Sequence, residues 1–205
     1  MPNISDLLTT NTANIATNTA AVASAGGAWN LLSTITASNS STVTFESGID
    51  STYYRYVVIG SGIYGSSSAG FGAQLKIGGS FQESTGSQVG YYYQHIEQNV
   101  GNGIGSSSYN SGVGPSGTSI ANNLTAADIG TSATYPASII LEIDTPSANK
   151  YHAIQYNGIV QAQLRADRSI GGTFLHSTQG VLTGIRFKLG SGNLYGSFSL
   201  YGITK

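Results

Sequence analysis

Apolar residues along this chain follow two different periods, and the change between them divides it. Near the start Leu8, Ile15 and Val22 recur at every seventh position, and Asn11 and Asn18 stand three places after the first two. A seven-residue repeat predicts a coiled coil with the aliphatic residues at a and the asparagines at d, so that apolar and amide layers alternate along a shared axis. A lone helix gains nothing by burying asparagine. At a core position a polar residue costs stability but fixes register and strand number, so these residues predict an assembly device, with a trimer as its expected number. Ser5 or Asp6 can cap the helix, which runs roughly 20 residues, or about 30 Å, from residue 6 to residue 25. Gly26 and Gly27 then stop it. Threonines at 9, 10, 12, 17 and 19 make it a poor helix in isolation, so it needs partners.

From Ala28 the period falls to two, and short apolar runs bounded by Gly, Ser and Asn predict strands. The expected strands cover residues 29–35, 42–45, 53–59, 71–77, 89–95 and 138–143. Asn157-Gly158, the dipeptide best suited to a type I′ turn, predicts a hairpin of residues 151–156 with 159–167. A second hairpin is expected to join 181–189 to 194–203 across Gly190 to Asn193, for nine or ten strands in all. Residues 97–134 read as irregular, either a functional or interface loop or a region with one weak strand near 119–124. The expected fold is all-β, a jelly-roll-like antiparallel β-sandwich over residues 28–205, preceded by a short trimeric coiled-coil stem and glycine hinge over residues 1–27. An immunoglobulin-like sandwich lacks its Cys and Trp pattern, and a β-helix lacks a fixed repeat.

Composition narrows the class of partner. Only 8% of the 205 residues are charged, against about a quarter in an ordinary domain, and the formal net charge is −1. No basic field collects phosphate, so nucleic acid is not an expected partner. No stretch of the sequence reads as a signal peptide or approaches the ~20 apolar residues of a spanning helix, so no membrane partner is expected either. Cysteine is absent, which excludes disulfides and thiolate metal sites. A weakly charged surface favours self-association and suits a protein that lives in a fixed assembly.

Catalytic chemistry is weakly represented. His95, His152 and His176 lie in separate segments without a second ligand at i+2 or i+4, so no metal site is expected. Gly60-Ser61-Gly62 and Gly190-Ser191-Gly192 read as turns, since neither leads into a helix as a nucleophile elbow must. Glu142 and Asp144 share one strand face opposite Ile139, Leu141 and Ile143, which makes them the solvent side of a half-buried strand rather than a glycosidase pair. Glu46 and Asp50 offer too few ligands for Ca²⁺, and no cofactor is expected. The 13 tyrosines cluster at Tyr53, Tyr54 and Tyr56 and at Tyr91, Tyr92 and Tyr93. They read either as a glycan- or partner-binding surface or as cross-strand packing, and the sequence leaves both open.

Two stretches resemble known families. The aliphatic-x-x-Asn-Thr heptads over residues 8–21 resemble the stalk repeats of trimeric phage fibres and trimeric autotransporter adhesins, a resemblance that implies asparagine rings facing the axis, able to hold an anion. The segments 29–37 and 192–203, with Phe45 and the strand at 53–58, are similar to tailed-phage virion proteins that carry a jelly-roll-like domain behind a trimerising segment. These include head-decoration or cement proteins, head fibres and tail fibres. The resemblance implies a non-enzymatic, homotrimeric structural protein on the phage particle surface, decorating or stabilising the capsid, with itself and the major capsid protein as partners. The short stem favours the capsid over the tail. The alternative is a tail fibre or receptor-binding adhesin that contacts host surface glycans. A polysaccharide-degrading spike is disfavoured by the missing acid pair.

Overall fold

The computed structural model describes residues 29–81, 90–99, 103–112, 129–134, 136–144, 152–162, 166–175 and 179–204. The expected stem positions Leu8, Asn11, Ile15, Asn18 and Val22 lie outside these residues. Twelve strands are described: β1 (Trp29–Ser40), β2 (Thr42–Phe45), β3 (Arg55–Gly65), β4 (Phe71–Ile77), β5 (Ser80–Phe81) and β6 (Gly90–Asn99). They continue with β7 (Gly103–Gly112), β8 (Ala137–Asp144), β9 (Ala153–Ala162), β10 (Ala166–Leu175), β11 (Leu182–Leu189) and β12 (Leu194–Ile203). No helix occurs among the described residues. One sheet has eight strands in the order β1-β12-β3-β8-β9-β10-β6-β7, and the other has four in the order β2-β11-β4-β5. Every pairing is antiparallel.

Alternation decides which side of each strand is buried. In β8 the buried residues are Ala137, Ile139, Leu141 and Ile143, while Ser138, Ile140 and Asp144 point the other way and are exposed. The inward residues of both sheets form one core. Phe71 and Phe187 of the four-stranded sheet meet Phe198 of the eight-stranded sheet at ring-centroid distances of 6.3 and 5.2 Å, and all three rings are buried. Each such side chain contributes about 1.5–3 kcal/mol of burial, so this trio is a principal tie between the sheets.

The strands β11 and β12 do not form the expected hairpin. Their bounds are close to those expected, but β11 pairs with β2 and β4 while β12 pairs with β1 and β3 in the other sheet. The linker 190–193 is an arch across the core, and β1 to β2 and β3 to β4 cross between sheets in the same way. These crossings meet at one end. Asn193 exchanges hydrogen bonds with Ser66 (2.8 Å each way), Ser67 Oγ donates to the Ser191 carbonyl at 2.8 Å, and Asn193 Nδ2 donates to Asn39 Oδ1 at 3.1 Å. Small polar residues fit because these backbones approach closely and their polar groups require partners.

Three further expectations change. Asn157-Gly158 lies inside β9, which runs on to Ala162, and neither residue has a positive φ. β9 is hydrogen-bonded to β8 on one side and β10 on the other, and two-sided pairing outweighs a local turn preference. Gly60-Ser61-Gly62 is a bulge within β3: the pairing with β8 slips between Gly60 and Ile63, and Gly62 takes φ +63°. In the region expected to be irregular, 103–112 is the strand β7, paired along β6, and Ile129 forms a bridge to Ala69. The suggested strand at 119–124 lies outside the described residues.

Candidate interaction surface

The outer face of the eight-stranded sheet carries a run of exposed apolar side chains. Cross-strand register aligns Leu31, Tyr201, Val57, Glu142 and Gln155 in one row, and Thr34, Ser199, Ile59, Ile140 and Asn157 in the next. A third row holds Ser138 beside Ile159. An apolar band therefore runs obliquely from Trp29 and Leu31 through Tyr201, Val57, Ile59 and Ile140 to Ile159. Among the residues whose burial is described five large apolar side chains are exposed, and four of them, Trp29, Leu31, Ile140 and Ile159, belong to this band. Val57 is buried but lies outside the core that the two sheets share, so its cover comes from the outer face.

The middle of the band is a shallow depression of about 450 Å³ lined by Ile59, Gly60, Ser61, Ser138, Ile139, Ile140, Asn157, Gly158 and Ile159. Isoleucines form its floor, with two serines and an asparagine as polar neighbours. Such a surface offers apolar contact and neutral hydrogen bonds, and holds no acid-base pair. Nearby, Arg55 Nη1 donates to Glu142 Oε2 at 2.9 Å, with the two side chains 43% and 36% exposed. Arg55, Glu142, Asp144, Ala153, Ile154 and Gln155 line a smaller hollow of about 120 Å³. Glu142 is thus bound to a cation, and a half-exposed pair of this kind is worth little.

The tyrosines do not form one patch. Tyr56 is fully buried, and its hydroxyl donates to the Asp50 carbonyl and accepts from the Asp50 N–H, both at 2.8 Å. Burial is the main cause that raises its pKa above the ordinary 10.0. Hydrogen bonds from the Thr52 side chain and backbone hold the Asp50 carboxyl below its ordinary 3.8. Tyr53 is half-buried, set edge-on to Tyr56 at 5.8 Å, and its ring covers Gly202 so closely that it leaves no room for a Cβ there. Tyr54 is half-buried beneath the Arg55 guanidinium, 5.7 Å from its ring. Tyr91, Tyr92 and Tyr93 are consecutive on β6, which lies between β7 and β10, five strands along the sheet order from β12 and away from the first cluster. Tyr64 and Tyr195, which no cluster in the sequence marks, stack in parallel at 4.6 Å.

Of the remaining candidates, His152 and Glu46 have structural partners. His152 is buried with Nε2 donating to the Gly180 carbonyl at 2.7 Å, His95 is on β6, and His176 lies outside the described residues. Glu46 accepts from Lys76 Nζ at 2.7 Å, while the Asp50 carboxylate is held by Thr52 and Tyr56. Among the described residues no three His, Asp or Glu side chains converge on a possible metal position. The apolar band did leave a sequence signal: Val57-Val58-Ile59 and Ile139-Ile140-Leu141 are unbroken apolar runs, which mean that both faces of a strand are apolar. No protein-family model matches this chain, and a search of curated proteins finds no match.

Proposed function

We propose that this protein is a non-enzymatic, homotrimeric structural component of a bacteriophage virion that decorates or stabilises the capsid surface, with a jelly-roll β-sandwich as its head. The observation that carries the reading is strand order. Setting aside two added hairpins, β6-β7 and β9-β10, both of which extend the sheet beyond β8, eight strands remain in the orders β1-β12-β3-β8 and β2-β11-β4-β5. Two four-stranded antiparallel sheets in this interleaved order support the jelly-roll reading, an architecture recurrent in viral coat proteins and in lectins. The asparagine heptads before Trp29 add the trimer, and 8% charge with no cysteine suits a permanent place in an assembly. The major capsid protein is the partner this reading names.

Fold alone does not choose among jelly-roll functions. Two measurements test the proposal. Light scattering should give three times the 21.1 kDa chain mass, and a monomer mass overturns the trimer. Labelled antibody and electron microscopy of intact particles should place the protein on the head. Signal confined to the tail tip, with adsorption lost in particles lacking the protein, would transfer the assignment to a glycan-binding adhesin.

A further inference from the structure

We infer that the oblique apolar band on the outer face of the eight-stranded sheet, from Trp29 and Leu31 through Ile59 and Ile140 to Ile159, packs against a second copy of this chain. The inference rests on the trimeric reading above and adds to it the face by which the heads meet.

The place where the chain enters the described structure selects this occupant. Residues 1–28 precede Trp29, and the expected stem ends at residue 25. The three linking residues Gly26, Gly27 and Ala28 span at most about 10 Å, and packed helices lie about 8–10 Å apart, so three copies of Trp29 are held within about 30 Å of one another. A domain of about 180 residues has a radius of gyration of about 16 Å, so this spacing is no more than one head's width. Trp29 is also the first residue of the band. On the outward side of β1 the apolar residues, Trp29 and Leu31, lie at the stem end, and the polar ones, Thr34, Thr36 and Ser38, lie farther away. On β12 the outward Tyr201 likewise sits at the stem end, ahead of Ser199 and Ser197.

Edge geometry points the same way. Among the described residues β1, twelve residues long, is an edge strand paired with β12 alone, and a long edge with exposed apolar side chains requires cover. Short tethers raise the effective concentration of neighbouring heads to about the millimolar range, so even a contact too weak to dimerise free domains forms within the trimer.

The sequence makes the test clean, because it contains no cysteine and one tryptophan. Ile140→Cys and Thr42→Cys are made separately in the full chain, the first in the band and the second exposed at the edge of the four-stranded sheet. Both substitutions are at exposed positions, and matching thermal melts verify folding. With a trimer mass, maleimide should react with the Ile140→Cys protein at least about tenfold more slowly than with the Thr42→Cys protein. Trp29 should resist acrylamide quenching. Adding Leu31→Glu should restore fast labelling while the stem holds the trimer mass. Equal labelling rates in a confirmed trimer overturn the inference and leave the trimer standing. A monomer with equal rates removes both, and a monomer with slow labelling assigns the cover to the chain's own segment ahead of Trp29, which also overturns it.

Discussion

Replacing Tyr56 with phenylalanine separates the two roles open to the first tyrosine cluster. The hydroxyl of this fully buried side chain makes two hydrogen bonds of 2.8 Å, one accepted from the Asp50 N–H and one donated to the Asp50 carbonyl. It thereby closes the loop between β2 and β3 onto the start of β3. A hydrogen bond of this kind contributes about 0.5–1.5 kcal/mol net, so losing both costs about 1–3 kcal/mol. Asp50 itself is exposed, and water can reach part of its freed backbone, which sets the expected loss at about 2 kcal/mol. For a domain of this size that is a fall in melting temperature of about 4–8 °C. The assay is thermal and urea unfolding of Tyr56→Phe beside Tyr195→Phe, whose hydroxyl reaches Asn39 at 3.1 Å on the surface and whose loss should cost less than about 0.5 kcal/mol. The pH dependence follows from the raised Tyr56 value. The folded state favours the protonated hydroxyl, so its stabilisation is complete below pH 10.0, the ordinary value, and is lost as pH rises through the higher folded value. The gap between wild type and Tyr56→Phe should therefore narrow above that pH. A variant within about 0.3 kcal/mol of wild type would refute the structural role and return Tyr56 to the candidate binding residues.

Three further outcomes are expected. Phe198→Ala, which removes the ring that meets the stacked Phe71 and Phe187 from the other sheet, should cost about 3–5 kcal/mol in urea unfolding, and a loss below about 1 kcal/mol would mean that the two sheets do not share this core. Asn157→Thr should leave stability within about 0.5 kcal/mol of wild type, because an exposed mid-strand site accepts a β-branched residue, whereas in a type I′ turn its positive φ would cost more than about 1 kcal/mol. Replacing Asn11 and Asn18 together with isoleucine should strengthen association while loosening its number and register. A clean trimer of lower stability in sedimentation and melting experiments would contradict their buried d placement.

Strand positions were legible wherever alternation was clean. Thr42–Phe45, Phe71–Ile77 and Leu194–Ile203 have the bounds expected of them, since each is fenced by Gly, Ser or Asn; the first and last bury largely alternate residues, while Phe71–Ile77 is buried on both faces. Strand partners were not legible. Gly190 to Asn193 suits a tight turn within a sheet and an arch between sheets alike, and what decides is whether the buried sides of β11 and β12 form one surface or oppose each other. Phe187 and Phe198 oppose, with centroids 5.2 Å apart across the core. Asn157-Gly158 misled for a related reason. Its turn preference is local, while the pairing of β9 along both β8 and β10 is set by the whole sheet around it.

The same distinction explains why the apolar band escaped a reading based on chemistry. Acids, histidines and nucleophiles mark a site residue by residue, and a surface of isoleucines contains none of them. Its trace is an interruption of the alternation that defines the strands. Ile139, Ile140 and Leu141 are consecutive, and only two of them can face the core. In a chain with few charges to keep it dispersed, outward isoleucine on two neighbouring strands, on the same sheet face as exposed Leu31 and Trp29, favours association. Selection against indiscriminate contact would favour threonine or lysine at those positions, as at Thr34 and Thr36 on the polar part of β1. In the proposed trimer a neighbouring head would cover these residues, so the low charge of the chain and the register of this one face fit the same proposal.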